Sequence, residues 1–164
     1  MANADLPNGA VPKGPVLRLN EYIAAGAVYP GDLVKQEAGG RVEAAAAATD
    51  ACIGVAMSYA SGAGVNVIVA DDPNQLFEMQ ADDSTIDAQT DVGLNYEIAI
   101  GSPNTTYRRS GMEIDASTQA TTATLPLKVL KVIDRPDNAL GANVRCVVKI
   151  NNHQLGSHTG TAGV

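Results

Sequence analysis

Two pairs of adjacent carboxylates, Asp71-Asp72 and Asp82-Asp83, are the first residues in this chain whose type could do chemistry. Carboxylates act as general bases and as calcium ligands. A calcium loop, however, needs alternating acids, a central glycine and a closing glutamate. Neither pair has that setting, so both read as surface turns. His153 and His158, the only imidazoles, fall beyond the last expected strand in a stretch rich in Gly, Ser and Thr. A catalytic histidine needs an orienting partner on a rigid element, so neither is assigned a catalytic role. Cys52 and Cys146 match no metal motif and no redox CxxC, and their apolar neighbours point to two buried free thiols in a reducing compartment. Gly62-Ala63-Gly64 leads into a strand pattern and not into a helix N-terminus, so it lacks the amides that cradle a phosphate. With no nucleophile elbow, Walker loop or HExxH in the sequence, the expectation is a protein that is not an enzyme. No catalytic residue, cofactor or metal is assigned.

Residues suited to holding a partner are easier to find. Tyr107-Arg108-Arg109 is the one tight basic pair in an acidic chain, and arginine beside tyrosine is typical of interface hot spots. The same tripeptide also fits a solvated loop tip. Near the N-terminus, Val16, Leu17, Leu19, Tyr22 and Ile23 form an apolar stretch behind a Pro- and Gly-rich arm. Proline removes amide donors, so the arm, residues 1–28, is expected to be extended and ordered through contact with another chain.

Composition narrows the partner. The chain has 164 residues and a net charge of -7, which argues against nucleic acid and against anionic membrane surfaces. No apolar run is long enough to span a bilayer, and the N-terminus lacks the pattern of a signal peptide. An aqueous, cytoplasmic site of synthesis is therefore expected. There is no Trp and a single Phe, so the core is expected to be thin.

These residues must be positioned by strands. Tyr29-Pro30-Gly31-Asp32 is a turn signal, followed by Leu33-Val34-Lys35-Gln36 as a strand and Ala38-Gly39-Gly40 as a hairpin turn. Ile53-Gly54-Val55-Ala56 and Gly64-Val65-Asn66-Val67-Ile68-Val69 are further short apolar strands. The same order returns downstream as Gly93-Leu94-Asn95-Tyr96-Glu97-Ile98, Leu127-Lys128-Val129-Leu130-Lys131-Val132 and Gly141-Ala142-Asn143-Val144-Arg145-Cys146-Val147-Val148. A recurring unit of this kind changes the fold expected. The fold class read here is all-β: antiparallel β-barrel or β-sandwich units in two tandem similar halves. The arm is followed by a first unit with its junction over 29–90, a second unit over 91–152 and a flexible tail over 153–164. Residues 102–124, rich in Ser, Thr and Asn, are expected to form a long polar loop.

Ala27-Val28-Tyr29-Pro30-Gly31-Asp32-Leu33-Val34, Ile53-Gly54-Val55-Ala56 and Gly64-Val65-Asn66-Val67-Ile68-Val69 resemble the strand pattern of tailed-bacteriophage capsid decoration (cement) proteins. Pro73-Asn74-Gln75-Leu76-Phe77-Glu78-Met79-Gln80, with Asp82-Asp83-Ser84, is similar to a stretch in phage head proteins. The resemblance runs from about Ala27 to Ile150. It implies a structural virion protein on the outer capsid surface that clamps neighbouring major capsid protein subunits. It also implies a homo-oligomer, a trimer or dimer at the symmetry axes. The alternatives are another virion module, such as a head-fibre base or tail-tube component, and a small-ligand-binding β-barrel.

Overall fold

Eleven strands, and one short 3₁₀ turn at Gln89–Asp91, make up the regular structure of the computed structural model, which describes residues 3–84, 86–156 and 159–164. The strands are β1 (Val11–Pro12), β2 (Leu19–Ile23), β3 (Leu33–Gln36), β4 (Val42–Ala44), β5 (Gly54–Ala56) and β6 (Asn66–Ala70), followed by β7 (Leu76–Gln80), β8 (Asn95–Ala99), β9 (Glu113–Ala120), β10 (Leu127–Val132) and β11 (Arg145–Ile150). They form two antiparallel sheets, ordered β2-β6-β5-β3-β4 and β1-β7-β11-β10-β8-β9. The fold is all-β.

Apart from β1, the two sheets have one connectivity. In each, the first strand in sequence pairs with the fifth, the fifth with the fourth, the fourth with the second and the second with the third. The three strand pairs matched by motif (β3 with β8, β5 with β10, β6 with β11) therefore occupy corresponding places. Each sheet also curls until its first and third strands meet. A parallel bridge joins Ala24, just after β2, to Val42 of β4; another joins Ala81, just after β7, to Ile114 of β9. Ala25 N donates to Val42 O at 2.7 Å and Asp82 N to Ile114 O at 3.0 Å, in the same relation.

Strand alternation sorts the side chains. In the first unit, Ala24, Val34, Val42, Ala56, Val67 and Val69 gather in one cluster, with Tyr22 packed against it. Leu33, Val55 and Ala70 stand side by side across β3, β5 and β6 and point the other way. They join the larger cluster of the second unit, which includes Phe77, Met79, Tyr96, Ile98, Ile114, Leu127, Val148 and Ile150. The outer face of the first unit is thus part of the core it shares with the second.

The arm is ordered within its own chain, contrary to the expectation that another chain orders it. Backbone ladders account for part of this: β1 pairs with β7, β2 pairs with β6, and Lys13 N donates to Leu76 O at 2.8 Å. Two glutamines at the ends of β7 complete it. Gln80 Oε1 accepts from Leu6 N at 3.1 Å, and Gln75 Oε1 accepts from Leu17 N at 2.8 Å. Side-chain amides thus serve the donors that the prolines interrupt. Gly9 crosses the arm over Gly31 at φ 65°, where a Cβ would run into the Gly31 carbonyl. The first unit of five strands accordingly starts at Leu19 and the second at Leu76, not at 29 and 91.

Two further expectations change. The polar stretch 102–124 is not one loop, because β9 occupies Glu113–Ala120 and buries Ile114 and Ala116. The described residues beyond 152 do not trail freely. His153 is buried and bridges Cys52, Gln154 Nε2 donates to Gln36 O at 3.1 Å, and Val164 N donates to Gly93 O at 3.2 Å. His158 lies outside the described residues.

Candidate functional site

Asp71, expected in a surface turn, is fully buried at the end of β6. Register explains the burial: residue 71 follows Ala70, which pairs with Leu19, so the preceding residue Arg18 and, on the same side of β2, Asn20 and Tyr22 close over the carboxylate. Arg18 Nε donates to Oδ1 at 2.7 Å, Asn20 Nδ2 to Oδ2 at 2.8 Å and the Tyr22 hydroxyl to Oδ2 at 2.6 Å. Burial alone would raise the Asp71 pKa, but the donors Asn20, Tyr22 and Arg18 outweigh it and hold the carboxylate below its ordinary value. Burial, with the bond to Asp71, pushes the Tyr22 hydroxyl up to about 12. Every oxygen of Asp71 is engaged in holding β2 to β6, so this carboxylate is structural.

The other titratable candidates are equally committed. Asp82 Oδ1 accepts from Ser84 N at 3.0 Å and Ala116 N at 3.2 Å, tying the turn after β7 to β9. His153 Nδ1 accepts from Leu155 N at 3.1 Å, while its buried Nε2 finds no partner among the described residues. Burial pushes this imidazole down to about 4, which keeps it neutral near pH 7. Cys52 and Cys146 are free and buried, and burial pushes each thiol up to about 12. Thiols so protonated are poor nucleophiles. Among the described residues, no three His, Cys, Asp or Glu side chains gather to hold a metal ion, and no helix is long and apolar enough to cross a membrane.

The apolar stretch of the arm divides. Val16, Leu17, Leu19 and Ile23 are exposed, whereas Tyr22 is half-buried and turns to Asp71. Leu19 and Ile23 share the outer face of β2 with Glu21, which lies opposite Ile68 of β6. Ile68 is also exposed, and Met57, whose amide donates to Ile68 O at 2.7 Å, extends the row across the sheet. Ile68 and Met57 were missed in the sequence. The signal for Ile68 was present: Val67 and Val69 face inward, so an isoleucine between them faces out.

Tyr107, Arg108 and Arg109 sit on a tight loop between β8 and β9. Asn104 and Arg109 exchange backbone hydrogen bonds of 2.9 and 3.1 Å, and Asn104 Oδ1 accepts from Tyr107 N at 3.0 Å. The neck closes where Gly111 packs against Ser102 so tightly that a Cβ would strike its carbonyl. Ser110 N donates to Pro30 O at 3.0 Å, fastening the loop to the Tyr29–Asp32 turn. Asp32 holds that turn by accepting from Tyr29 N at 2.8 Å. Arg108, at φ 51°, lays its guanidinium 4.6 Å from the ring centre of Tyr59, and the Tyr59 ring lies 5.2 Å from that of Tyr29. Tyr107 is 73% exposed. The structure does not bring this loop into the arm's exposed apolar row. The two surfaces adjoin at Met57, which lines the cleft under the loop together with Val11 and Pro12 of the arm.

Neither surface carries a nucleophile, a base or an acid poised on a common point. What they offer is apolar area on one side and fixed cationic groups on the other, which is equipment for binding. No protein-family model matches the chain, and none of the curated proteins is similar enough to it to count as a relative.

Proposed function

We propose that this protein is a non-catalytic decoration protein of a tailed-phage head, seated on the outer surface of the shell and clamping neighbouring major capsid protein subunits. The observation that carries the reading is the exposed apolar row of Val16, Leu17, Leu19 and Ile23, continued by Ile68 and Met57 on the first unit. Several exposed apolar side chains gathered around Glu21 on one face of a small acidic protein mark a surface meant to be covered. Mounting them on a strand held at Asp71 keeps them in place before contact, which lowers the ordering cost of association. Many identical copies on a shell give avidity from individually modest contacts. A homo-oligomer of this chain on the shell is part of the same reading.

Quantitative mass spectrometry of purified particles carrying this chain tests it. Copy numbers should scale with the capsomers, and cryo-electron microscopy should place the first unit's Leu19–Ile23 face against the shell. A few copies per particle, or density on the tail, would overturn the reading. The paired change Leu19→Glu and Ile23→Glu should abolish decoration while leaving the protein folded.

A further inference from the structure

We propose that the cleft beneath the Tyr107–Arg109 loop is a docking site for an acidic peptide segment of a partner protein, one apolar anchor side chain flanked by aspartate or glutamate. The cleft encloses about 280 Å³ between β1, the turn at Pro30 and Gly31, and the end of β5. Its floor is apolar, supplied by Ala10, Val11, Pro12, Pro30, Ala56 and Met57, and its rim carries Tyr107, Arg108 and Arg109. That volume is near the lower limit of small-molecule pockets and suits one buried side chain rather than a whole ligand.

Charge selects the flanking residues. The protein carries -7 overall, yet no carboxylate lines this cleft. Among the described residues neither Arg108 nor Arg109 forms an ion pair, while Arg18, Arg135 and Arg145 each pair with a carboxylate. The two free guanidiniums are presented by a closed loop, and Arg108 is oriented against Tyr59. Guanidinium binds carboxylate through paired, charge-assisted hydrogen bonds, and a pre-positioned fork loses little freedom on binding. Nucleic acid needs an extended basic footprint along its backbone, and two arginines on one loop of an acidic chain do not supply it. An apolar floor with a cationic rim therefore fits an acidic peptide with an apolar anchor. The cleft shares Met57 with the exposed row but none of Leu19, Ile23 and Ile68, and the peptide test does not depend on the capsid reading.

The test is fluorescence anisotropy of the full chain with a panel of fluorescein-labelled octapeptides carrying a central Leu, Phe or Tyr flanked by Asp and Glu. Saturable binding is expected for at least one anchor, weakened at least tenfold when Asp and Glu become Asn and Gln. The double change Arg108→Glu and Arg109→Glu should abolish it with the protein still folded, since both side chains are exposed. Met57→Trp, which fills the floor without adding charge, should weaken binding while leaving the rim charge in place. No saturable binding across the panel, equal binding of the amide peptides, or full binding by the double variant would each overturn the proposal. So would displacement by inorganic tripolyphosphate at concentrations below those of the free acidic peptide, which would mark a simple polyanion patch.

Discussion

The two units share a strand order and a mode of closure but are filled differently. The first is lined by valine and alanine with one isoleucine, Ile53, and ends in a polar plug, Asp71 with Arg18, Asn20 and Tyr22. The second is filled by Phe77, Met79, Tyr96, Ile98, Ile114 and Leu127, and its one buried phenol donates to Asp91 O at 2.7 Å. Small side chains bury little area each, so the first unit gains less from its interior and relies on two other sources. It borrows core from its neighbour through Leu33, Val55 and Ala70, and it holds its edge strand with hydrogen bonds to a buried carboxylate. One connectivity is thus stabilised in two ways, by apolar volume in one unit and by a polar clasp in the other.

The sharpest way to break this comparison is to empty the second unit. Phe77→Ala should cost about 3–5 kcal/mol in urea denaturation, because it removes the chain's only phenylalanine from a closed core. Val69→Ala, at a buried site in the first unit, should cost distinctly less. Equal losses would mean that interior volume is not what separates the units.

Asp71→Ala attacks the clasp and should cost about 1–3 kcal/mol, since it strands three donors at a buried position. Hydrogen exchange should quicken at β2 and β6 well before β10 and β11 respond. Uniform acceleration across both sheets would show that the clasp is not local to the first unit. Tyr22→Phe removes one of the three donors and should cost about 0.5–1.5 kcal/mol.

The smallest expected effect is a pH dependence of opposite sense in the two units. Asp71 is held below its ordinary value of 3.8, so its contribution to the first unit is present above that pH and is lost as the pH falls further. Glu113, in β9 of the second unit, is raised from 4.5 to about 7, first by burial and then by Asp5, with Asp82 and Asp83 adding to the effect. The folded state therefore binds more protons between those values, and the second unit loses stability as the pH rises through that window. Thermal melts from pH 4.5 to 7 should show this decline, and Glu113→Gln should flatten it. A slope unchanged by that substitution would place its origin elsewhere.

Local alternation and turn chemistry were enough to read an all-β chain in the sequence, with strands expected at 33–36, 53–56 and 65–69 and a matched set downstream, each within a residue or two of the strands β3, β5 and β6 observed. They were also enough to pick out the exposed Val16, Leu17, Leu19 and Ile23 and the Tyr107–Arg109 loop, because side-chain type and a period of two are properties of short windows. Closure was decided by the tertiary structure. Pairing between residues far apart in sequence turned Tyr22 inward and buried Asp71. It folded His153 against Cys52, and it recruited the proline-interrupted arm through Gln75 and Gln80. It also set Arg108 on Tyr59. Each of these depends on which strand edges meet when a sheet curls, and that depends on long-range register rather than on the residues adjacent in the chain.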